Sequence, residues 1–149
     1  MTTEPAGVGL WIRIQHRFGA RLSEWFVATV TLLWGAVLLL PADTFAGPSW
    51  TIFRAIMGEA EWGVVMVLLG LLRLGGLVVN GARKTVTPWI RVVSAGTGFV
   101  LWLGISLGFG LSGVISTGLA IYPAIAVLEL FNIHRAAHDV GASSDAVPR

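Results

Sequence analysis

Cysteine is missing from this 149-residue chain. Disulfides and thiolate chemistry are therefore excluded, and the redox state of the compartment leaves no mark on the sequence. Charge is nearly as scarce: Asp, Glu, Lys and Arg make up 12% of the residues, against about 25% in an ordinary soluble domain. There is no phosphate-cradling glycine loop, no nucleophile–base pair and no zinc-type helix motif. Neither an enzyme nor a cofactor is expected, and no metal. The basic residues are too few, and lack a stacking platform, for nucleic-acid binding.

What is present is apolar. Hydrophobic residues account for 55% of the chain, more than a soluble protein of this size has interior to hide. Lipid removes the conflict. The 19 glycines and seven tryptophans agree, since membrane helices are rich in Gly and their interfaces in Trp. The fold class expected is an all-α membrane protein: a four-transmembrane-helix bundle with an N-terminal amphipathic interfacial helix and both termini cytoplasmic.

Residues 1–24 read as a short disordered lead followed by that interfacial helix. Trp11, Ile14, Phe18 and Leu22 share one face, with Arg13, His16, Arg17 and Glu24 on the other. The first apolar run comes late, and Pro41-Ala-Asp follows it rather than a small-residue cleavage site, so no cleavable signal peptide is expected. The bundle occupies 25–133, with spans at 25–40, 62–80, 92–111 and 113–133. The first is short for a ~30 Å hydrocarbon core, and Pro41 ends it. The loop after it carries Trp50, Phe53, Ile56 and Met57 at helical spacing behind Ser49, an N-cap candidate, with Gly58 as a stop. Only Gly110 to Gly113 separates the last two spans. Residues 134–149 read as a cytoplasmic tail, mostly disordered. Trp11, Arg13, Arg17, Trp25, Trp50, Trp62 and Trp89 are the expected interfacial residues.

Orientation follows from Lys and Arg near the spans. Arg13, Arg17, Arg21, Arg83, Lys84, Arg91 and Arg135 fall on one side, and only Arg54 on the other, beside Asp43, Glu59 and Glu61. The basic side is assigned to the cytoplasm, where it meets anionic headgroups.

Two ionisable residues lie inside spans. Arg73 is about 10 Å from the cytoplasmic end of its helix and Glu129 roughly 6 Å from the end of its own. An arginine side chain reaching toward the cytoplasm could meet that carboxylate, and an Arg73–Glu129 pair is expected. Gly76 would admit the partner helix, and Asn80, Tyr122 and Asn132 lie on the same polar or small faces. Such a pair is an ion or proton path, or a structural clasp. Gly104 and Gly108, with Ala120 and Ala124 opposite, form small-residue faces for packing within the hairpin or between copies. Pro123 is expected to kink the last span. His134 and His138 read as solvated residues near a helix end.

From Trp62 to Asp139, Leu71-Leu72-Arg73, Val79-Asn80-Gly81, Pro88, Arg91, Trp102, Tyr122, Glu129 and the run from Arg135 resemble small, mostly uncharacterised multi-span membrane proteins of tailed bacteriophages, some called holin-like. The resemblance implies an inner-membrane protein that oligomerises or permeabilises the bilayer. A small ion- or proton-coupled channel using Arg73 and Glu129, or an accessory subunit of a larger membrane partner, are the alternatives.

Overall fold

A computed structural model of the chain describes residues 21–79 and 87–145. Most of the amphipathic N-terminal segment, including Trp11, Arg13 and Arg17, lies outside the described residues, as does Asn80. The described residues are all-helical: α1 Leu22–Leu38, α2 Thr51–Ile56, α3 Glu59–Val79, α4 Thr87–Leu111 and α5 Gly118–Asp145, with 3-10 turns at Thr44–Ala46 and Pro48–Trp50.

The helices begin and end where local chemistry dictates. Pro41 cannot continue a helix and disfavours α geometry at the residue before it, so α1 stops just upstream. The helix α4 ends at a left-handed glycine: Gly113 has φ +70°, and the Ser112 amide donates back to the Gly108 carbonyl at 3.1 Å. The Ser112 hydroxyl also donates to the Phe109 carbonyl at 2.7 Å. A cluster of Ser112, Ser116 and Thr117 competes with helical bonding, so α5 starts at Gly118 rather than at 113. It continues through the region read as disordered tail, as far as Asp145. In the loop, Trp50 rather than Ser49 precedes the first residue of α2, with no side-chain cap.

The bundle is two antiparallel hairpins. In one, α1 packs along α3; in the other, α4 packs along α5; α3 and α4 touch only sparingly. Glycine makes the first contact close. A Cβ on Gly35 would sit 2.6 Å from the Val67 amide nitrogen, and one on Gly70 would sit 2.6 Å from that of Leu32. The two backbones meet without side chains between them.

One end of the bundle is closed by the loop between α1 and α3. The Glu59 carboxylate accepts the Thr44 and Phe45 amides at 3.0 and 2.9 Å, folding the loop back over the helix ends. Phe45 stacks on Trp50, 4.7 Å between centroids, and Trp50 meets Phe109 edge-on at 4.9 Å. Phe53 is buried and packs over Gly108. Trp62 donates its indole N–H to the Phe53 carbonyl at 3.2 Å. Trp50 and Trp62, expected as interfacial anchors, are half-buried parts of this aromatic cap.

Several polar and charged side chains share the interior with the apolar core, and many large apolar ones lie outside. Glu24, Thr31, Arg73, Arg91, Glu129 and Asn132 are buried, while Leu68, Leu72, Val93, Val100, Leu107 and Val127 are exposed. Buried Arg and Glu are rare in a soluble fold unless paired. Two helices, α3 over Glu59–Val78 and α4 over Trp89–Leu111, are long and apolar enough to cross a membrane. The 17-residue α1 reaches about 26 Å, short of the ~30 Å core.

Candidate functional site: a buried polar network

The buried charges gather at the end of the bundle away from the aromatic cap. Arg73 projects from the last third of α3 and Glu129 from the middle of α5. They meet as a two-pronged pair: Nη1 donates to Oε1, and Nη2 donates to Oε2 at 2.9 Å. The fork of a guanidinium matches the two carboxylate oxygens, and charge-assisted bonds of this kind are the strong ones. Glu129 has no exposed surface. Asn132, one turn on, donates its Nδ2 to Glu129 Oε2 at 3.3 Å. Its Oδ1 accepts the Ser23 hydroxyl of α1 at 2.6 Å.

A second buried pair lies beside the first. Arg91, in the first turns of α4, donates Nε to Glu24 Oε2 at 3.0 Å, and its Nη2 donates to Glu24 Oε1. Ser23 and Glu24 are consecutive on α1. One reaches α5 and the other α4, so this short stretch contacts both helices of the second hairpin. With Arg73 reaching from α3 to Glu129, two charged pairs and the Ser23–Asn132 hydrogen bond link all four long helices.

Glycine again makes room, though at a different position from the one expected. A Cβ at Gly76 would meet nothing within 4 Å, so it does not admit the partner helix. The needed glycine is Gly98 of α4, where a Cβ would collide with both the Glu129 carboxylate and the Arg73 guanidinium. The pair is clamped between α3 and α5 against bare α4 backbone.

The other anticipated residues are placed as follows. Tyr122 does not join the pair; its hydroxyl accepts the Trp34 indole N–H at 3.3 Å, and its ring stacks on Trp102 at 5.8 Å. The Trp102 indole nitrogen is buried, with no partner among the described residues. Gly108 faces Phe53 rather than α5, a Cβ on Gly104 would meet nothing within 4 Å, and Ala120 and Ala124 are exposed. The close points of the α4–α5 hairpin are instead Gly98 and Gly118, the latter against Phe109 and Tyr122. Trp25 is half-buried, whereas Trp89 is 60% exposed at the polar end of the bundle. His134 and His138 are exposed on the last turns of α5.

The Glu24–Arg91 pair was not anticipated. A signal existed: each residue stands directly before its apolar run, at Trp25 and Val92, so the expected topology put opposite charges at one depth. Reading Glu24 as the polar face of an interfacial helix, and Arg91 as a topology signal, hid their complementarity.

Beside the network, between α3 and α4, lies a cleft of about 590 Å³ whose walls include Leu69, Leu72, Gly75, Gly76, Ile90 and Val93. Towards the aromatic cap a second hollow of about 570 Å³ continues along α4, past Gly96, Val100, Gly104 and Gly108, with Ile56 and Trp62 opposite.

Fold and site together define a helical protein with two helices long and apolar enough to cross a membrane and with its buried charges, among the described residues, joined in pairs. Comparison with models of protein families, with curated proteins and with solved structures returned no match.

Proposed function

We propose that the chain is an integral protein of a bacterial cytoplasmic membrane, crossing it four times through α1, α3, α4 and α5, with both ends in the cytoplasm. It acts in and on the bilayer through association of its helices, and holin-like permeabilisation is the most concrete form of that action. The observation carrying this reading is the placement of charge: among the described residues every buried charge is paired inside, while many large aliphatic side chains lie outside. Charged groups in a bilayer face the interior and pair. The basic residues supply the orientation: Arg21, Arg91 and Arg135 belong to the same end as the loop containing Arg83 and Lys84.

The Arg73–Glu129 pair reads best as a clasp. Both carboxylate oxygens are taken by the guanidinium, Asn132 adds a further donor, and Glu129 is sealed from solvent. A transport pathway needs a group that exchanges its partner during a cycle. The expectation of an ion- or proton-coupled channel therefore has less support than a structural role.

Regulated expression in a bacterial host tests the proposal. The chain should resist alkaline carbonate extraction from membranes, and its induction should collapse the membrane potential and arrest growth. Retention in the membrane with an undisturbed potential would rule out permeabilisation. Release by carbonate would overturn the membrane assignment itself.

A further inference from the structure

At the capped end of the bundle, two loop amides meet one carboxylate. Glu59, the first residue of α3, offers Oε1 to the Thr44 amide and Oε2 to the Phe45 amide. Thr44 and Phe45 open the 3-10 turn Thr44–Ala46, so their N–H groups have no partner within the turn itself. Both carboxylate oxygens face donors, and both must therefore accept. An ionised carboxylate is acceptor-only, whereas the protonated group carries an O–H donor. A proton on either oxygen would set O–H against N–H and leave one amide without its acceptor.

No neighbouring charge takes over this role. Arg54, the only basic residue described in the loop, donates to the Ala46 carbonyl at 3.5 Å. Asp43 and Glu61 are exposed, and the Glu61 carboxylate is folded over Gly58. Towards this end α1, α4 and α5 bring no Asp, Glu, Lys, Arg or His over residues 34–40, 105–111 and 118–126. Their one titratable group is the Tyr122 phenol, bonded to Trp34. Glu24 and Glu129 belong to the opposite end, each joined to an arginine.

The held amides place the loop on the core. Phe45 is 2% exposed and stacks on Trp50, which meets Trp34 at 6.0 Å and Phe109 at 4.9 Å. Trp34 in turn lies edge-on to Trp102 at 6.0 Å. Rings from the loop, α1 and α4 thus form one pile, and its outermost member follows directly on the bond to Glu59.

We propose that Glu59 is an acid-released latch: residues 43–57 form a lid over the aromatic pile, closed while the carboxylate is ionised and freed when it is protonated. The latch holds at neutral pH and is lost as the pH falls below about 4, where a glutamate takes up its proton. Its sidedness alone rests on the membrane assignment above, which puts the lid on the face away from the cytoplasm, where it answers to external acid.

Hydrogen exchange of the detergent-purified chain, read by mass spectrometry at pH 6 and pH 3 and corrected for the intrinsic rate, tests the latch. Protection of a peptide covering Thr44 to Trp50 should fall by about tenfold, or ~1.4 kcal/mol in opening. A peptide from the middle of α4, covering Trp102 to Phe109, should keep its protection. Glu59→Gln retains one carbonyl acceptor and sets an amide N–H where the protonated carboxyl sets its O–H, so its loop should show the low protection at both pH values. Asp43→Asn and Glu61→Gln should respond to pH as the native chain does. The proposal is overturned if native loop protection changes by less than about twofold, or if the α4 peptide loses protection in step with the loop. Those two outcomes decide the matter even where Glu59→Gln fails to fold. A pH response that survives Glu59→Gln, or that Asp43→Asn or Glu61→Gln abolishes, also overturns it. All of this is read in detergent, so the latch stands or falls apart from the membrane assignment, which carbonate extraction tests separately.

Discussion

Arg73 and Glu129 give the sharpest energetic test. Changing Arg73→Met leaves the Glu129 carboxylate with no exposed surface and only the Asn132 amide as a partner. Stranding one member of a buried pair costs about 3–5 kcal/mol. Glu129→Leu does the same to the guanidinium, which is wedged against Gly98 with little freedom to move away. The two single losses sum to about 6–10 kcal/mol. The double variant removes both charges and restores apolar bulk, and such replacements are often near neutral. What remains is the Asn132 amide without its acceptor, a cost of about 1–3 kcal/mol. The double loss should therefore fall short of the sum by at least about 3 kcal/mol. Neutral hydrogen bonds between membrane helices average only about 0.6 kcal/mol of coupling, so a value of this size identifies a charge pair. Reversible unfolding in mixed micelles of mild detergent and dodecyl sulfate, followed by tryptophan fluorescence, measures all four corners. A double loss equal to the sum within about 0.5 kcal/mol would show that the two residues do not interact, and the clasp would have to be abandoned.

Three further outcomes follow from the same geometry. Glu24→Ala and Arg91→Ala should each destabilise the bundle by about 3–5 kcal/mol in that assay; a loss below ~1 kcal/mol would place the second pair in water. Gly98→Ala should cost about 1–3 kcal/mol by overpacking, while Gly76→Ala, with open space for its methyl, should be neutral or stabilising by up to ~1 kcal/mol; equal effects would contradict the assignment of the closely packed position. Glu59→Ala removes the acceptor of two loop amides and should cost about 1–3 kcal/mol. Trypsin should then cleave at exposed Arg54 faster than in the native chain, and an unchanged cleavage rate would mean that Glu59 does not hold the loop.

The long helices and the principal ion pair were legible because their signals are periodic or rare. Long apolar runs leave few alternatives to helix, and two ionisable residues in otherwise apolar helices, one with the reach of an arginine, restrict each other's partners. The features missed depend on which helices become neighbours. The sequence names no partner helix for α1; it packs along α3, and the consequential glycines there are Gly35 and Gly70 instead of Gly104. The search for spaced small residues found Gly104 and Gly108, but their surroundings differ: one faces open space and the other a phenyl ring carried by the loop. Trp50 and Trp62 read as interface anchors by composition; their packing against Phe45, Phe53 and Phe109 depends on the folded loop and has no sequence signal. The last helix outran its expected end because Asp145 and the small residues before it do not break a helix, even where their composition suggests disorder.

The wide separation of charge partners along the chain bears on how this protein is made. Arg73 is 56 residues ahead of Glu129, and Glu24 is 67 residues ahead of Arg91. At a synthesis rate of about 5–20 residues per second, the ribosome leaves each early charge without its final mate for roughly 3–13 s. Under the proposed membrane assignment, the first hairpin would arrive carrying one acid and one base, Glu24 on α1 and Arg73 on α3, which in the finished fold border the same cleft. Assembly of the second hairpin is then an exchange reaction, in which Arg91 and Glu129 each claim a charge that the nascent first hairpin has had to shelter on its own.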